Sequence, residues 1–383
     1  MKLLLIFLNI FLFANGLNHL NKIRQIVGMI PLKENTILDN AAHNHSVYLN
    51  ANGNQYGHYE IGGEYFTGKT PTDRALYAGY NSRFVIENFA YGNYKNINQS
   101  IDMLFSAIYH RFGFLNFYIN EVGMANIGKY YVFEMGNSNL NTICSKYFSN
   151  ITGEYYYGVC KDYNLKIPAK AYLNAKNNIA KQNPKIIIFP TSDIKVEPVF
   201  YAEEPNPIPY KISGYPVSIQ FNPYYIKDVK LLNFEIYHNG EKLDTLLLTK
   251  DNDKNHKLTK YQFALFPIKR LKWDSKYDVV CEYEINNEIY TKKWSFYTKK
   301  LKNNLITVTK NSAFFIKPNK TYTIYVKPST NNDTIQNIRY KYPQGVKVNI
   351  KLLDTNTFQL KVDGLVGQKV TIFADKRIVF VLE

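Results

Sequence analysis

The chain has 383 residues and a formal net charge of +16, and 45% of its residues are hydrophobic. Its aromatic content of 15% is too high for a disordered chain, and its length predicts two or three domains, each with a core of its own. These values exclude a miniprotein that needs disulfides or metal ions to fold.

The positive charge is spread along the whole chain. Its densest cluster is Lys299, Lys300 and Lys302, at a predicted linker. Proteins that bind nucleic acids typically have a basic stripe on one face or a run of about five or six basic residues. The chain has neither. We therefore predict no specific nucleic-acid binding and interpret the lysines as solvated side chains. An interaction with acidic polymers or lipid head groups is the alternative.

Residues Met1 to Gly16 have the pattern of a signal peptide. Lys2 supplies the positive charge, Leu3 to Phe13 form an apolar stretch, and residues 14–16 offer small side chains for cleavage. No later stretch is apolar over the roughly 20 residues that a membrane helix needs. The sequence predicts an exported protein, extracellular or periplasmic, without a transmembrane segment.

Residues 17–140 combine helical and strand patterns. Apolar residues recur at helical spacing in several segments, and two alternating strands follow them. The predicted elements are a helix from Leu17, a helix over Leu38 to Leu49, a short helix through Arg74 to Leu76, a helix from Asn98 to His110, and strands over Glu121 to Gly128 and Lys129 to Met135. Helices that flank a small antiparallel sheet predict an α+β domain.

Cys144 and Cys160 lie in a predicted connector over residues 141–184. They are 16 residues apart, and closing a loop of that size stabilises a protein by about 3 kcal/mol. In an exported protein this spacing favours a disulfide between them. Cys281 lies in a segment that alternates between apolar and polar residues, so we predict a buried free thiol there.

From residue 185 the pattern changes to short alternating strands. Seven of them, separated by turns such as Asn239-Gly240, predict a β-sandwich over residues 185–300. A further set predicts a small all-β domain over residues 301–383. The proline-rich segment from Glu203 to Pro209 is incompatible with a helix and predicts a stiff, extended lead-in.

Histidine and acidic residues of the first domain are the candidate site residues. His58 and Glu60 project to the same side if their segment is extended. Glu87 lies within an apolar run, and a buried carboxylate needs amide or histidine partners. Asp102 precedes His110 by eight residues, which places both on one face of the predicted helix.

Several short motifs in residues 20–136 occur in a distinctive order. They are His58, Asp73-Arg74-Ala75, Gly79-Tyr80, Glu87-Asn88, Tyr109-His110-Arg111, and Gly123 thirteen residues after His110. This series resembles the bacterial branch of the CAP superfamily (cysteine-rich secretory, antigen 5 and pathogenesis-related-1 proteins). Ile86 replaces the glycine of the family's Gly-Glu-Asn segment, and Met124-Ala125 depart from its Gly-x-Gly strand.

The resemblance implies an α-β-α sandwich with a surface cleft that holds two histidines and two acidic residues. By motif, His58, His110 and Glu87 correspond to three of these residues. They would be the ligands of an optional divalent cation such as zinc. The fourth acid has no matching position, which leaves Asp102 or Glu60 for it. Small lipids are among the ligands that the resemblance implies.

The middle domain resembles the Ig-like modules that follow CAP domains in exported bacterial proteins. The resemblance rests on Gly214-Tyr215-Pro216-Val217, Phe263 to Pro267 and Trp294-Ser295-Phe296. The expected fold class is therefore multidomain, with an α+β CAP domain, an Ig-like β-sandwich and a small all-β domain.

Three functions stay open on the sequence. The first is binding of a small lipid or a cell-surface partner at the cleft, with or without a divalent ion. The second is a divalent-metal-dependent hydrolase, and the third is a cell-surface adhesion or scaffold protein. No serine or cysteine stands at a recognisable spacing from a base, so we predict no nucleophilic triad. The sequence predicts no particular oligomeric state.

Overall fold

The computed structural model describes residues 15–149, 152–200, 203–301, 303–330, 332–335 and 337–383. The predicted signal peptide lies outside these residues, apart from residues 15 and 16, which are helical. Within the described ranges, no helix is both long and apolar enough to cross a membrane. The fold is α+β in its N-terminal part and all-β from residue 186 onward, as predicted.

The N-terminal part is a four-stranded sheet covered by helices. Its helices are α1 (residues 15–26), α2 (Thr36–Asn52), α3 (Pro71–Ala78), α4 (Ile97–Ser106) and α5 (Ile108–Phe114). Its strands are β1 (Lys33–Glu34), β2 (Val85–Tyr91), β3 (Glu121–Ile127) and β4 (Tyr130–Gly136), in the order β1-β3-β4-β2. The edge strand β2 carries Glu87.

Successive residues of the two central strands pack against opposite layers. Met124 and Phe133 join the core formed with α1 and α4, whereas Ala125 and Val132 pack with residues of α2. Gly123 lies so close to α2 that a Cβ atom there would be 2.0 Å from the carbonyl carbon of Leu38. The sheet is therefore the middle layer of an α-β-α sandwich, as the family resemblance implies.

The predicted helix from Asn98 to His110 is wrong in one respect. It is broken at Ala107, whose backbone is extended (φ −76°, ψ 115°), so that α4 and α5 are separate helices. The side chain of Arg111 donates a hydrogen bond to the carbonyl of Phe105 near the break. Because the break restarts the helix, Asp102 and His110 do not share a helix face.

The connector contains α6 (Ser138–Ile143), β5 (Tyr155–Tyr156), β6 (Ile167–Pro168) and α7 (Ala169–Lys181). Cys144 and Cys160, the pair that the sequence predicts, form a disulfide. Cys281 is a free, fully buried thiol on a strand of the middle part. Burial raises the pKa of this thiol to about 12, so it has the character of a core residue rather than of a nucleophile.

The middle part consists of two sheets. Its strands are β7 (Ile186–Phe189), β8 (Lys195–Val196), β9 (Val217–Phe221), β10 (Lys230–His238), β11 (Glu241–Lys242), β12 (Thr245–Leu248), β13 (Gln262–Pro267), β14 (Lys276–Ile285) and β15 (Glu288–Thr298). One sheet has the order β11-β10-β14-β15-β8 and the other β12-β13-β9-β7. Inward-facing residues of both sheets belong to one hydrophobic core, as in a β-sandwich.

The C-terminal part also has two sheets, with a core of its own. Its strands are β16 (Asn304–Val308), β17 (Ser312–Ile316), β18 (Thr321–Val326), β19 (Arg339–Lys341), β20 (Lys347–Asp354), β21 (Thr357–Asp363), β22 (Lys369–Ala374) and β23 (Lys376–Leu382). Their orders are β16-β18-β21-β20 and β17-β23-β22-β19. Arg270 of the middle part reaches the buried carboxylate of Asp354 at 2.8 Å and connects the two parts.

The N-terminal and middle parts share a single hydrophobic core. The rings of Phe105 and Phe114 stack with centroids 5.4 Å apart, and Phe189 of β7 stacks on Phe105 at 5.2 Å. A second cluster packs Ile108 and Phe112 of α5 against apolar residues of the middle part. The two parts therefore pack against each other as one unit and are not two separate domains joined by a linker.

Arg111 lies fully buried within this shared core. Its Nη1 donates to the carbonyl of Pro216 (2.9 Å) and to the hydroxyl of Ser218 (3.0 Å). Its guanidinium also lies against the rings of Phe189 and Tyr215, at 4.7 and 5.1 Å from their centroids. Burial lowers the pKa of Arg111, and the hydrogen bonds and ring contacts offset the loss of hydration.

We expect Arg111→Leu to lower the free energy of unfolding of the full chain. The substitution leaves the buried carbonyls of Phe105 and Pro216 without their donors, at a cost of about 1–3 kcal/mol for each. Chemical denaturation measures the loss, and Arg339→Leu, at an exposed position of β19, is the matched control. Equal stability of the two variants would contradict the role given to Arg111.

Candidate functional site

His58 and Glu87 form the first half of the candidate site. Nδ1 of His58, in the loop between α2 and α3, is 2.7 Å from Oε1 of Glu87. Nη2 of Arg74 is 2.5 Å from the other carboxylate oxygen, and Nη1 of Arg74 donates to the carbonyl of His58 at 3.1 Å. Because an ionised carboxylate only accepts hydrogen bonds, Nδ1 of His58 carries the proton. Both oxygens of Glu87 are engaged, and Nε2 of His58 is left for a ligand.

His110 and Glu203 form the second half. Nδ1 of His110 is 2.9 Å from Oε2 of Glu203, a buried residue of the proline-rich segment. The same carboxylate accepts the backbone N–H of Tyr109 at 3.1 Å. On the other side, Nδ2 of Asn88 donates to the carbonyl of His110 at 2.8 Å. His110 is thus held between the edge strand of the N-terminal sheet and the segment between β8 and β9 of the middle part.

The two imidazole rings lie side by side. Their centroids are 6.1 Å apart and their planes are inclined by 30°. The side chain of His58 is 35% exposed and that of His110 is 12% exposed. Among the described residues, Nε2 of neither ring forms a hydrogen bond. A ligand that approaches from solvent therefore meets two imidazole nitrogens whose rings are fixed from behind.

A buried charge cluster lies beneath the two rings. Its centre is Arg74, with Glu60 and Glu134 at 3.7 and 3.8 Å in addition to Glu87. His45 bonds through Nδ1 to Oε1 of Glu60 at 3.0 Å. The other oxygen of Glu60 accepts two backbone N–H groups of the loop that carries His58. The cluster therefore ties that loop to the sheet.

Burial and the neighbouring charges shift the pKa values of Glu87 and Glu134 in opposite directions. For Glu87, burial acts to raise the pKa, but Arg74, His45 and His58 together hold it well below its usual range. For Glu134, burial and the negative charge of Glu87 raise the pKa well above its usual range. Burial also acts to lower the pKa of Arg74, yet its acidic neighbours outweigh it and raise that pKa. Of these two carboxyls, Glu87 therefore favours the ionised form and Glu134 the protonated form.

Three of the five predicted site residues come together around the two rings. His58, Glu87 and His110 belong to the two facing halves. Glu60 is fully buried in the cluster below, where it has no contact with solvent. Asp102 lies elsewhere, because the break between α4 and α5 directs it to His19 (2.7 Å). Neither alternative for the fourth acid therefore faces the rings, and Glu203 takes that place.

The residues present fit a divalent ion only through the two imidazoles. The hydrogen bond from each Nδ1 to a carboxylate is the arrangement that orients histidines as metal ligands. Glu87 does not fit as a third ligand, since both of its oxygens are bonded. No group of three or more potential ligands occurs in the part of the chain that the structure describes.

Sequence patterns differ in how well they indicate the residues around the rings. Glu134 is flanked by apolar residues on β4, the same signal that pointed to Glu87. His45 lies on the apolar stripe of α2. Glu203, by contrast, lies in a polar, proline-rich segment far along the chain. No local pattern connects it to His110.

The N-terminal part of the chain matches a known protein family. Residues 17–132 match the model of CAP, the cysteine-rich secretory protein family. No curated protein matches the chain significantly. The resemblance to the CAP superfamily is thereby confirmed for the N-terminal third of the chain.

Three solved structures illustrate the similarity. An extracellular protein with an SCP domain from Bacillus anthracis str. Ames is 18% identical over 32% of this chain and 39% of that chain, with a TM-score of 0.28. An outer surface protein from Borrelia burgdorferi is 16% identical over 32% of this chain and 90% of that chain, with a TM-score of 0.29. Tandem Ig domains of titin are 10% identical over 44% of this chain and 86% of that chain, with a TM-score of 0.18. The match thus spans less than half of the Bacillus protein.

We expect Glu134→Gln to stabilise the protein at alkaline pH. The folded wild type keeps a proton on Glu134 that the unfolded chain releases above its ordinary pKa of 4.5. The wild type therefore loses stability as the pH rises, by about 1.4 kcal/mol per pH unit up to the folded pKa. The neutral amide of the variant does not titrate, so the variant does not lose stability in this way. The free energy of unfolding of the variant therefore increases relative to that of the wild type as the pH rises.

Urea unfolding at several values between about pH 5 and about pH 9 measures the difference. Glu154→Gln, at an exposed position, is the control and should parallel the wild type. A difference between Glu134→Gln and the wild type that does not change with pH would contradict a protonated Glu134.

Proposed function

Since residues 17–132 form a CAP domain, we propose that this protein is exported and binds a cation or a ligand rich in hydrogen-bond donors at His58 and His110. The observation that carries the proposal is the pair of facing imidazoles, each tied through Nδ1 to a buried carboxylate. Rings held in this way present Nε2 outward as a lone-pair donor when they are neutral.

Three observations support the exported state. The N-terminal sequence has the charge, apolar stretch and small residues of a signal peptide. The disulfide between Cys144 and Cys160 suits an oxidising compartment. The family description, which names secretory proteins, points the same way.

The charges around the rings decide the class of ligand. Four carboxyl groups lie next to the rings or beneath them, and one guanidinium accompanies them: Glu60, Glu87, Glu134, Glu203 and Arg74. Even with a proton on Glu134, the remaining groups, three carboxyls and one guanidinium, have a negative balance before the histidines are counted. A phosphate or carboxylate ligand would meet this charge unfavourably, whereas a cation, an amine or a hydroxyl would not.

The negative charge around the rings also restricts the kinds of lipid that fit the site. A small lipid fits the two rings through a hydroxyl or amine head, not through a free fatty-acid carboxylate. The loop around His58 offers apolar surface for the rest of such a ligand, because Tyr56, Tyr59 and Phe66 are each about half exposed. Exposed aromatic side chains that flank a polar centre are common in binding sites.

A divalent ion is the simplest probe of this site. It would be held by Nε2 of His58 and Nε2 of His110, and when bound it supplies a Lewis acid. Glu87 and Glu203 then orient the rings rather than bind the ion. The hydrolase alternative has less support, because the carboxylates of Glu87 and Glu203 are buried and bonded to histidines, and Glu134 is buried as well.

We expect the full chain to bind Zn²⁺ with micromolar affinity, and His58→Ala and His110→Ala each to lose saturable binding. Isothermal titration calorimetry measures both effects. His43→Ala is the matched control, because His43 is an exposed residue of α2 outside the cluster. Absence of binding in the wild type, or equal binding in all variants, would overturn the proposal of a cation site at the two rings.

A further inference from the structure

We infer that the middle β region contributes to the site and that its Glu203 is the positioning residue for His110. This inference rests on the proposed function, since it concerns the same two rings. The CAP match ends at residue 132, so Glu203 comes from outside the matched domain. The fourth acid next to the histidines is thus supplied by a different region of the chain.

The contact of Glu203 has the geometry of a dedicated acceptor. Its side chain is 1% exposed, so the carboxylate has exchanged hydration for the partners that it finds on α5. Those partners are the ring Nδ1 of His110 and the backbone N–H of Tyr109. Ala107, which precedes α5, offers no side-chain cap, and Glu203 also supplies a negative charge at this end of the helix.

Three consecutive residues of α5 each donate a hydrogen bond to the middle region, which includes the segment of Glu203 between β8 and β9. The Tyr109 hydroxyl donates to Asp253 at 2.5 Å, His110 donates to Glu203, and Arg111 donates to Pro216. Asp253 is itself fixed, because it accepts the backbone N–H groups of Lys257 and Leu258. The position of the His110 ring therefore depends on groups that a separate N-terminal domain does not contain.

The consequence for His110 is the choice of tautomer. A carboxylate at Nδ1 selects the neutral form that carries its proton on Nδ1 and leaves the lone pair on Nε2. Glu87 selects the same form for His58 from within the N-terminal part. The two rings have the same tautomer only when both carboxylates are in place. Docking of the middle region supplies Glu203, which gives His110 the tautomer that Glu87 gives His58.

The test uses the full chain and long-range ¹H–¹⁵N spectra of its imidazoles, in which the two tautomers have different nitrogen shifts. His110→Gln identifies the signals of His110 by their loss. We expect the wild type to show the Nδ1–H form of His110, and Glu203→Gln to show a mixture of forms. Glu204→Gln is the matched control, because Glu204 is the exposed neighbour, and it should retain the wild-type signals.

Zn²⁺ titration of the same proteins gives an independent readout. Loss of a carboxylate that orients a ligating histidine weakens metal binding about 10–100-fold, so we expect this change in Glu203→Gln and none in Glu204→Gln. Wild-type protein that holds His110 in the Nε2–H form would overturn the inference without any variant, as would an unchanged tautomer in Glu203→Gln. If the tautomer depends on Glu203 but the wild type binds no Zn²⁺, the positioning role stands and the proposed cation site falls.

Discussion

Burial of the Arg111 guanidinium is the constraint on which the arrangement of this protein depends. A buried cation that loses its hydration must find hydrogen-bond acceptors and polarisable rings. Arg111 finds them on both sides of a domain boundary, in the carbonyls of Phe105 and Pro216 and the rings of Phe189 and Tyr215. These contacts set the position of α5 relative to both parts. The adjacent residue, His110, is placed by the same contacts.

The local charge of the site differs in sign from that of the chain. The net charge of +16 comes from dispersed lysines, whereas the groups beneath the histidines are mostly carboxyls around one arginine. In a buried cluster, one cation does not keep three carboxyls ionised, so the proton stays on Glu134 and the charge stays on Glu87. Composition alone therefore says little about the ligand of such a site.

The sequence predicted the local features of the fold and site, and the long-range ones came only with the structure. His58, Glu87 and His110 stand in ordered motifs, and alternation identified most strands, because short-range spacing determines both. Glu203 and His110 meet through the packing of two domains, which no local pattern encodes. The choice of Asp102 failed for a related reason: helical spacing was extended across Ala107, where the contacts of α5 interrupt the helix.

A site built from two regions links ligand binding to domain docking. Any ligand that needs both imidazoles binds more tightly to the docked form, and by thermodynamic reciprocity it stabilises the docking to the same extent. The shared hydrophobic core and Arg111 already favour the docked form strongly. The coupling therefore serves chiefly to hold the rings ready before a ligand arrives, which reduces the entropy that binding must offset. On this view the β region that follows the residues matching the CAP family contributes directly to the proposed binding site.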